Sequence, residues 1–241
     1  VAFESMHPAF TVSEDNEPKI ANTFTSLIDS GKLVLGTDAG NQPVSIYIGG
    51  VNPYATYEMD VNSYTIGVTP TEIGIEFARM GLRDKVQVIS KLSARGNEIF
   101  FRVYEGNKLK RETKYGDTLP AGAFILRVQL YGRTLGIFIT QNNKTQYIGH
   151  IPVKEHFGEV LDFRHIKTAE KCTFNLMSNQ QGKVVLNGAR SFLSSGMGQA
   201  DIRLISNEDL SPYLENGRLW FTFSCRGIDT PQSAQGVLSL D

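Results

Sequence analysis

Two short segments near the end of the 241-residue sequence hold residue types that can do chemistry. The first is Gly198-Gln-Ala-Asp201-Ile-Arg203, where a carboxylate follows a glycine-rich link and immediately precedes a strand pattern. An Asp there sits at a strand mouth, where it can take a proton from water or accept a hydroxyl, although a solvated turn Asp is the commoner occupant. The second is Trp220-Phe-Thr-Phe-Ser-Cys-Arg226-Gly227. A guanidinium at a strand end with Gly behind it suits a two-point contact to a carboxylate, against an ordinary surface Arg. Gln235-Gly236 offers a similar polar contact beside the next strand.

Other groupings carry less. His150, His156 and His165 lie close together with Glu159 and Asp162. Their spacing matches neither a helical i, i+4 pair nor a strand i, i+2 pair, so hydrogen-bonding loop histidines are expected rather than a metal site. No metal and no cofactor is expected. Asn143-Lys-Thr145 is a glycosylation sequon of a kind that also arises by chance. There is no phosphate-binding glycine loop, no CxxC pair, no HExxH and no nucleophile elbow. Cys172 and Cys225 leave open a bridge or two buried thiols, the second being the ordinary state of free Cys.

The elements that must position these residues read as strands. Val44, Ile46 and Ile48 alternate with Ser45 and Tyr47, and Ile73, Ile75 and Phe77 repeat the period of two. Asn97–Tyr104 turns at Glu105-Gly-Asn107 and returns as Lys108–Thr113; Ala123–Leu130 turns at Tyr131-Gly-Arg133 and returns as Thr134–Thr140. A further turn, Gln141–Lys144, leads into Thr145–Gly149, and Gly and Asn at these tips supply positive φ. Helix is expected only as short turns within Pro152–Asp162 and Asn22–Ile28. Many closely spaced antiparallel strands predict an all-β sandwich or jelly roll. With 24 basic against 25 acidic residues the net charge is −1, which gives no electrostatic reason for a nucleic-acid partner, and no apolar run is long enough for a membrane span.

The pattern breaks at Ser194-Ser-Gly-Met-Gly-Gln199, which places a domain boundary near residue 195. Beyond it lie four strand candidates: Ile202–Ile205, a weaker one near Tyr213, Arg218–Cys225 and Gln235–Leu240. In the third, Leu219, Phe221, Phe223 and Cys225 share one face and Trp220, Thr222, Ser224 and Arg226 the other. A single small sheet with two such faces is too small to stand alone and needs cover on both sides.

The run Leu126–Thr140 resembles concanavalin-like, laminin-G-like sandwiches. Ser194–Asp201, Asn216–Gly227 and Ala234–Asp241 resemble the opening of five-bladed β-propeller glycoside hydrolases. The resemblance implies an antiparallel jelly-roll sandwich over 1–195 followed by a first propeller blade over 196–241. It further implies the N-terminal portion of an exported (secreted or periplasmic) enzyme degrading complex plant cell-wall polysaccharides, with carbohydrate and the remaining blades as partners. Asp201 then occupies the place of a general base, with Arg203, Arg226 and Gln235 binding substrate. Such hydrolysis needs two facing carboxylates, so this chain holds half a site. The alternative is a carbohydrate-binding or adhesion module, for which Tyr47, Tyr54, Tyr57 and Tyr64 are the candidate sugar platform.

Overall fold

The computed structural model describes residues 10–14, 17–20, 27–36, 43–81, 83–131, 134–152, 163, 166–194, 198–226 and 235–240. These divide into two compact units, Val1–Leu193 and Ser194–Asp241.

The first unit opens with a hairpin of β1 (Phe10–Glu14) and β2 (Glu17–Ile20). Its body is two antiparallel sheets. The strands β3 (Leu27–Asp29), β4 (Lys32–Leu35), β6 (Ala55–Tyr64), β11 (Phe124–Leu130), β12 (Thr134–Gln141), β13 (Lys144–Pro152) and β15 (Val184–Leu193) form a seven-stranded sheet. Its order is β13-β12-β11-β6-β15-β4-β3. The strands β5 (Val44–Gly50), β7 (Thr71–Arg79), β8 (Asp84–Ser93), β9 (Gly96–Glu105), β10 (Lys108–Leu119) and β14 (Cys172–Ser178) form a six-stranded one, ordered β10-β9-β8-β7-β14-β5. Successive strands β5, β6 and β7 alternate between sheets, as in a jelly roll.

Period two explains why the sheets face each other. Ile73, Ile75 and Phe77 from β7, with Val86 and Val88 from β8, meet Tyr57, Met59, Leu126, Val128 and Ile137 from the other sheet in one continuous core. Each such side chain contributes about 1.5–3 kcal/mol by leaving water. At the centre, Tyr57 packs edge-on against Phe77 and Phe174, with ring centroids 5.0 and 4.8 Å away.

The hairpin tips follow the turn chemistry. Gly106 and Asn107 (φ 54° and 65°) close β9–β10, and Asn142 and Asn143 (φ 51° and 60°) close β12–β13, both as type I′ turns. The sequon Asn therefore sits in a two-residue turn. Between β14 and β15, Gly182 has φ 78°, and a Cβ there would lie 2.2 Å from the Thr65 carbonyl oxygen, so no other residue fits. The two helical expectations fall almost wholly outside the described residues. Pro152 ends β13 and Leu27–Asp29 form β3, while 153–162 and 22–26 lie outside the described residues. The described helix is a single turn elsewhere, α1 (Ile166–Ala169).

The second unit is one antiparallel sheet of β16 (Gly198–Leu204), β17 (Leu214–Glu215), β18 (Arg218–Arg226) and β19 (Gln235–Leu240). β17 and β16 pair with successive parts of one edge of β18, and β19 pairs with the other edge. Four segments thus fill three positions. Register puts Leu204, Leu238 and Phe221 on one face and Arg203, Val237 and Thr222 on the other. Trp220, Phe221 and Phe223 are each only part-buried. Leu204, Leu214, Val237 and Leu240 are exposed, and the indole N–H of Trp220 has no hydrogen-bond partner among the described residues.

Candidate functional site

Asp201 lies inside β16 rather than ahead of it, which corrects the strand-mouth expectation. The register shows why it is nevertheless set apart. Ala200 pairs with Ser224 and Arg203 with Thr222, so β16 carries one more residue than β18 across this stretch. That is a β-bulge, and Asp201 stands in it with φ 53°, a left-handed backbone that costs a non-Gly residue about 1–2 kcal/mol. Bulges re-aim side chains, and Asp is one of the few residues that tolerates this backbone.

The sheet brings the other sequence candidates to the same end. Gln235, the first residue of β19, pairs with Ser224, which pairs with Ala200 on its other side. The backbone of Arg226 pairs with Gly198, two residues or about 7 Å further along. Arg203 shares a face with Thr222, and Asp201, Arg203 and Gln235 are all exposed. The described carboxylates of this unit besides Asp201 are Glu208, Asp209 and Glu215. Asp209 is occupied as a turn residue. It accepts the Ser211 hydroxyl and backbone N–H, and those bonds hold its carboxyl below the usual range.

The tyrosine platform is not what the sequence suggested. Tyr57 is fully buried, its hydroxyl donating to the Asn52 carbonyl at 3.0 Å and accepting the Asn52 N–H at 2.6 Å. Tyr64 donates to Asn97 Oδ1 at 2.8 Å and accepts the Gly122 N–H. Tyr47 and Tyr54 are half-buried. Of the histidine cluster, His150 lies on β13 with Nδ1 2.5 Å from the Tyr147 hydroxyl; His156, Glu159, Asp162 and His165 lie outside the described residues. Cys172 is a free, buried thiol.

Sequence reasoning missed two carboxylates on the outer faces of the sandwich. On the six-stranded sheet, Glu76 is 1% exposed and accepts from Ser45 Oγ, Gln87 Nε2 and Asn175 Nδ2, with Lys85 Nζ at 3.4 Å. Beside it Arg102 makes a forked pair with Glu72 at 2.7 and 2.8 Å and a third bond to Glu112. These bonds link the charged groups of this face to one another. On the seven-stranded sheet, Glu58 is equally buried and is held by Arg127 and Arg190. The alternation Thr56-Tyr57-Glu58-Met59-Asp60-Val61 was the available signal, since its apolar members mark the inner face.

Among the described residues no helix is long and apolar enough to cross a membrane, and no three His, Cys, Asp or Glu side chains group as metal ligands. No known family model matches the sequence, and no curated protein sequence matches it. Solved structures match in fold. Of this chain 71% superposes on 88% of the legume lectin-like domain from Entamoeba histolytica, with a TM-score of 0.51 and 8% identity. Likewise 69% superposes on 33% of the Bacteroides ovatus xyloglucan PUL GH43B protein, with a TM-score of 0.50 and 14% identity. This chain therefore matches only a third of that protein's length. What the two likenesses establish is the architecture: an all-β, antiparallel jelly-roll sandwich.

Proposed function

We propose that this chain is the N-terminal portion of an exported glycoside hydrolase acting on a complex plant cell-wall polysaccharide. In this reading residues 1–195 are the supporting sandwich and 196–241 the first blade of a propeller. Asp201 is the general base of the hydrolysis, and Arg203, Arg226 and Gln235 hold the substrate. The observation that carries it is the backbone of Asp201. A carboxylate held left-handed in a bulge, at the sheet end shared with Gln235 and Arg226, is local strain of the kind that clusters at working sites.

Two further features support it. Propeller blades have four strands side by side, whereas among the described residues this sheet fills three positions, so in this reading the fourth strand comes from residues outside the described ones. The exposed Leu204 and Leu240 on one face and Val237 on the other leave apolar surface on both faces for further blades to cover. The jelly-roll architecture, shared with a glycoside hydrolase family 43 protein, fits the same reading.

The test is made on the reading frame extended beyond Asp241. Blade-length β repeats are expected there. In the extended protein Asp201→Asn should lower polysaccharide hydrolysis about 10²–10⁴-fold, the usual worth of a general base, with KM little changed. A loss below tenfold, or a frame without such repeats, sinks the assignment. A second reading, a glycan-binding module, is favoured by an open cleft on the sandwich itself.

A further inference from the structure

We propose that the outer face of the seven-stranded sheet binds a neutral oligosaccharide. The proposal rests on the carbohydrate reading above but on none of its catalytic residues. The site is built around the place where β15 meets β6. Leu186 pairs with Val61 and Gly188 with Asp60, so Asn187 is bulged out of the ladder. Gly188 adds no side chain, and the space above it is open. The result is a cleft of about 390 Å³, walled by Glu58, Asp60, Asn187 and Arg190 with Ile125 as an apolar patch.

The chemistry of this cleft selects its occupant. Glu58 is held by the Nε of both Arg127 and Arg190, and Asp60 accepts from Asn187 Nδ2 at 3.2 Å. Two carboxylates and two guanidiniums cancel, so a charged ligand gains nothing from the net field. A ligand rich in hydroxyls gains from the accessible walls: the Asp60 carboxylate accepts its O–H groups, and the Asn187 amide and the terminal guanidinium nitrogens of the exposed Arg190 donate to its oxygens, while Glu58 stays buried and fixes Arg190 in place. Ile125 suits the C–H face of a sugar ring.

Beyond the cleft the same sheet face continues toward β13. One transverse row of register partners runs Arg190, Glu58, Arg127, Phe138, Tyr147 across five strands. Four strand intervals make it about 19 Å long. At its far end Tyr147 is 43% exposed, with its ring 5.3 Å from Phe138 and 12° from parallel with His150. The His150 contact to its hydroxyl holds that ring in place. A polar cleft leading to a fixed aromatic plane matches an oligosaccharide, whose hydroxyls and ring faces alternate. The cleft itself lies where β6 and β15 meet, inside the sheet, and offers a peptide strand no open backbone edge to join. On the six-stranded sheet the corresponding row begins with Asn175, Glu76 and Gln87, all three buried, so these polar groups are not presented to a ligand.

The experiment titrates the intact 241-residue chain with neutral hexasaccharides of β-1,4-xylose, β-1,4-galactose and α-1,5-arabinose, and with hexagalacturonate as the charged control. At least one neutral hexamer should bind, and hexagalacturonate at least tenfold more weakly. Tyr147→Ala and Arg190→Gln should each weaken binding at least tenfold while still unfolding in a single cooperative transition well above the assay temperature. Tyr147→Phe, which keeps the ring, should stay within about threefold, and Asp201→Asn should bind as the parent does. Binding that ignores Tyr147→Ala and Arg190→Gln overturns the proposal. So does preference for hexagalacturonate, or no binding of any neutral hexamer at millimolar concentration. None of these failures touches the Asp201 assignment, which stands or falls on hydrolysis by the extended protein.

Discussion

Replacing Glu76 by Ala should be among the most damaging single changes to the sandwich. The carboxylate is almost fully buried, and removing it strands its partners. Gln87 and Asn175 are themselves buried, and Gln87 Oε1 and Asn175 Oδ1 already have no hydrogen-bond partner among the described residues. Without Glu76 the donor ends of both amides lose their acceptor too, at about 1–3 kcal/mol each. Lys85, 3.4 Å away and largely covered, loses its counter-charge. Breaking such a buried cluster from one side costs about 3–5 kcal/mol in total. For a unit of this size that is roughly 6–20 °C in Tm. The assay is urea unfolding of the parent and Glu76→Ala, with the triple change Glu76→Leu, Gln87→Leu, Asn175→Leu alongside. The triple variant should recover most of the loss, because it removes the polar groups together instead of orphaning them. A Glu76→Ala penalty below 1 kcal/mol, or a triple variant weaker than the single one, would refute the reasoning.

Burial pushes the Cys172 thiol from 9.0 up to about 12 and the Tyr57 phenol from 10.0 up to about 12. The fold prefers both neutral forms, so their stabilisation is complete below pH 9 and is lost as pH rises toward 12. The urea midpoint should therefore fall between pH 9 and 12, less steeply in Tyr57→Phe; a flat profile would contradict it. Gly182→Ala should cost about 2–5 kcal/mol by equilibrium unfolding, since it combines a positive φ with a clash against the Thr65 carbonyl; near-neutrality would mean that the loop can move away. Limited proteolysis should first separate the two units near Leu193–Ser194 and leave the sandwich intact, whereas first cleavage within 97–140 would misplace the core. Because it offers one candidate carboxylate for a reaction needing two, the 241-residue chain alone should hydrolyse no glycan, and turnover lost in Asp201→Ala would overturn that.

Local pattern determined much of the sandwich. The strands β5, β7 and β9–β13 are legible because one face is apolar and the other polar, and their tips carry the Gly and Asn that positive φ demands. Where both faces are covered the alternation disappears: all seven residues of β14 are buried, Thr173 and Asn175 included, so it carries no period to read. Strand order was equally hidden. β15 lies between β6 and β4, and β14 between β7 and β5, and neither follows from the order of the segments along the chain. That order assembles the sites. Glu58 meets Arg127 from 69 residues away and Arg190 from 132, and Glu76 meets Asn175 from 99. Asp201 shows the division on a single residue. Its type and glycine-rich approach marked it out in the sequence, but the bulge opposite β18 turns it from a strand mouth into a strained position within the strand. Side-chain alternation is a property of neighbours along the chain, whereas register and bulges come from pairing with distant strands, so only the folded sheet determines them.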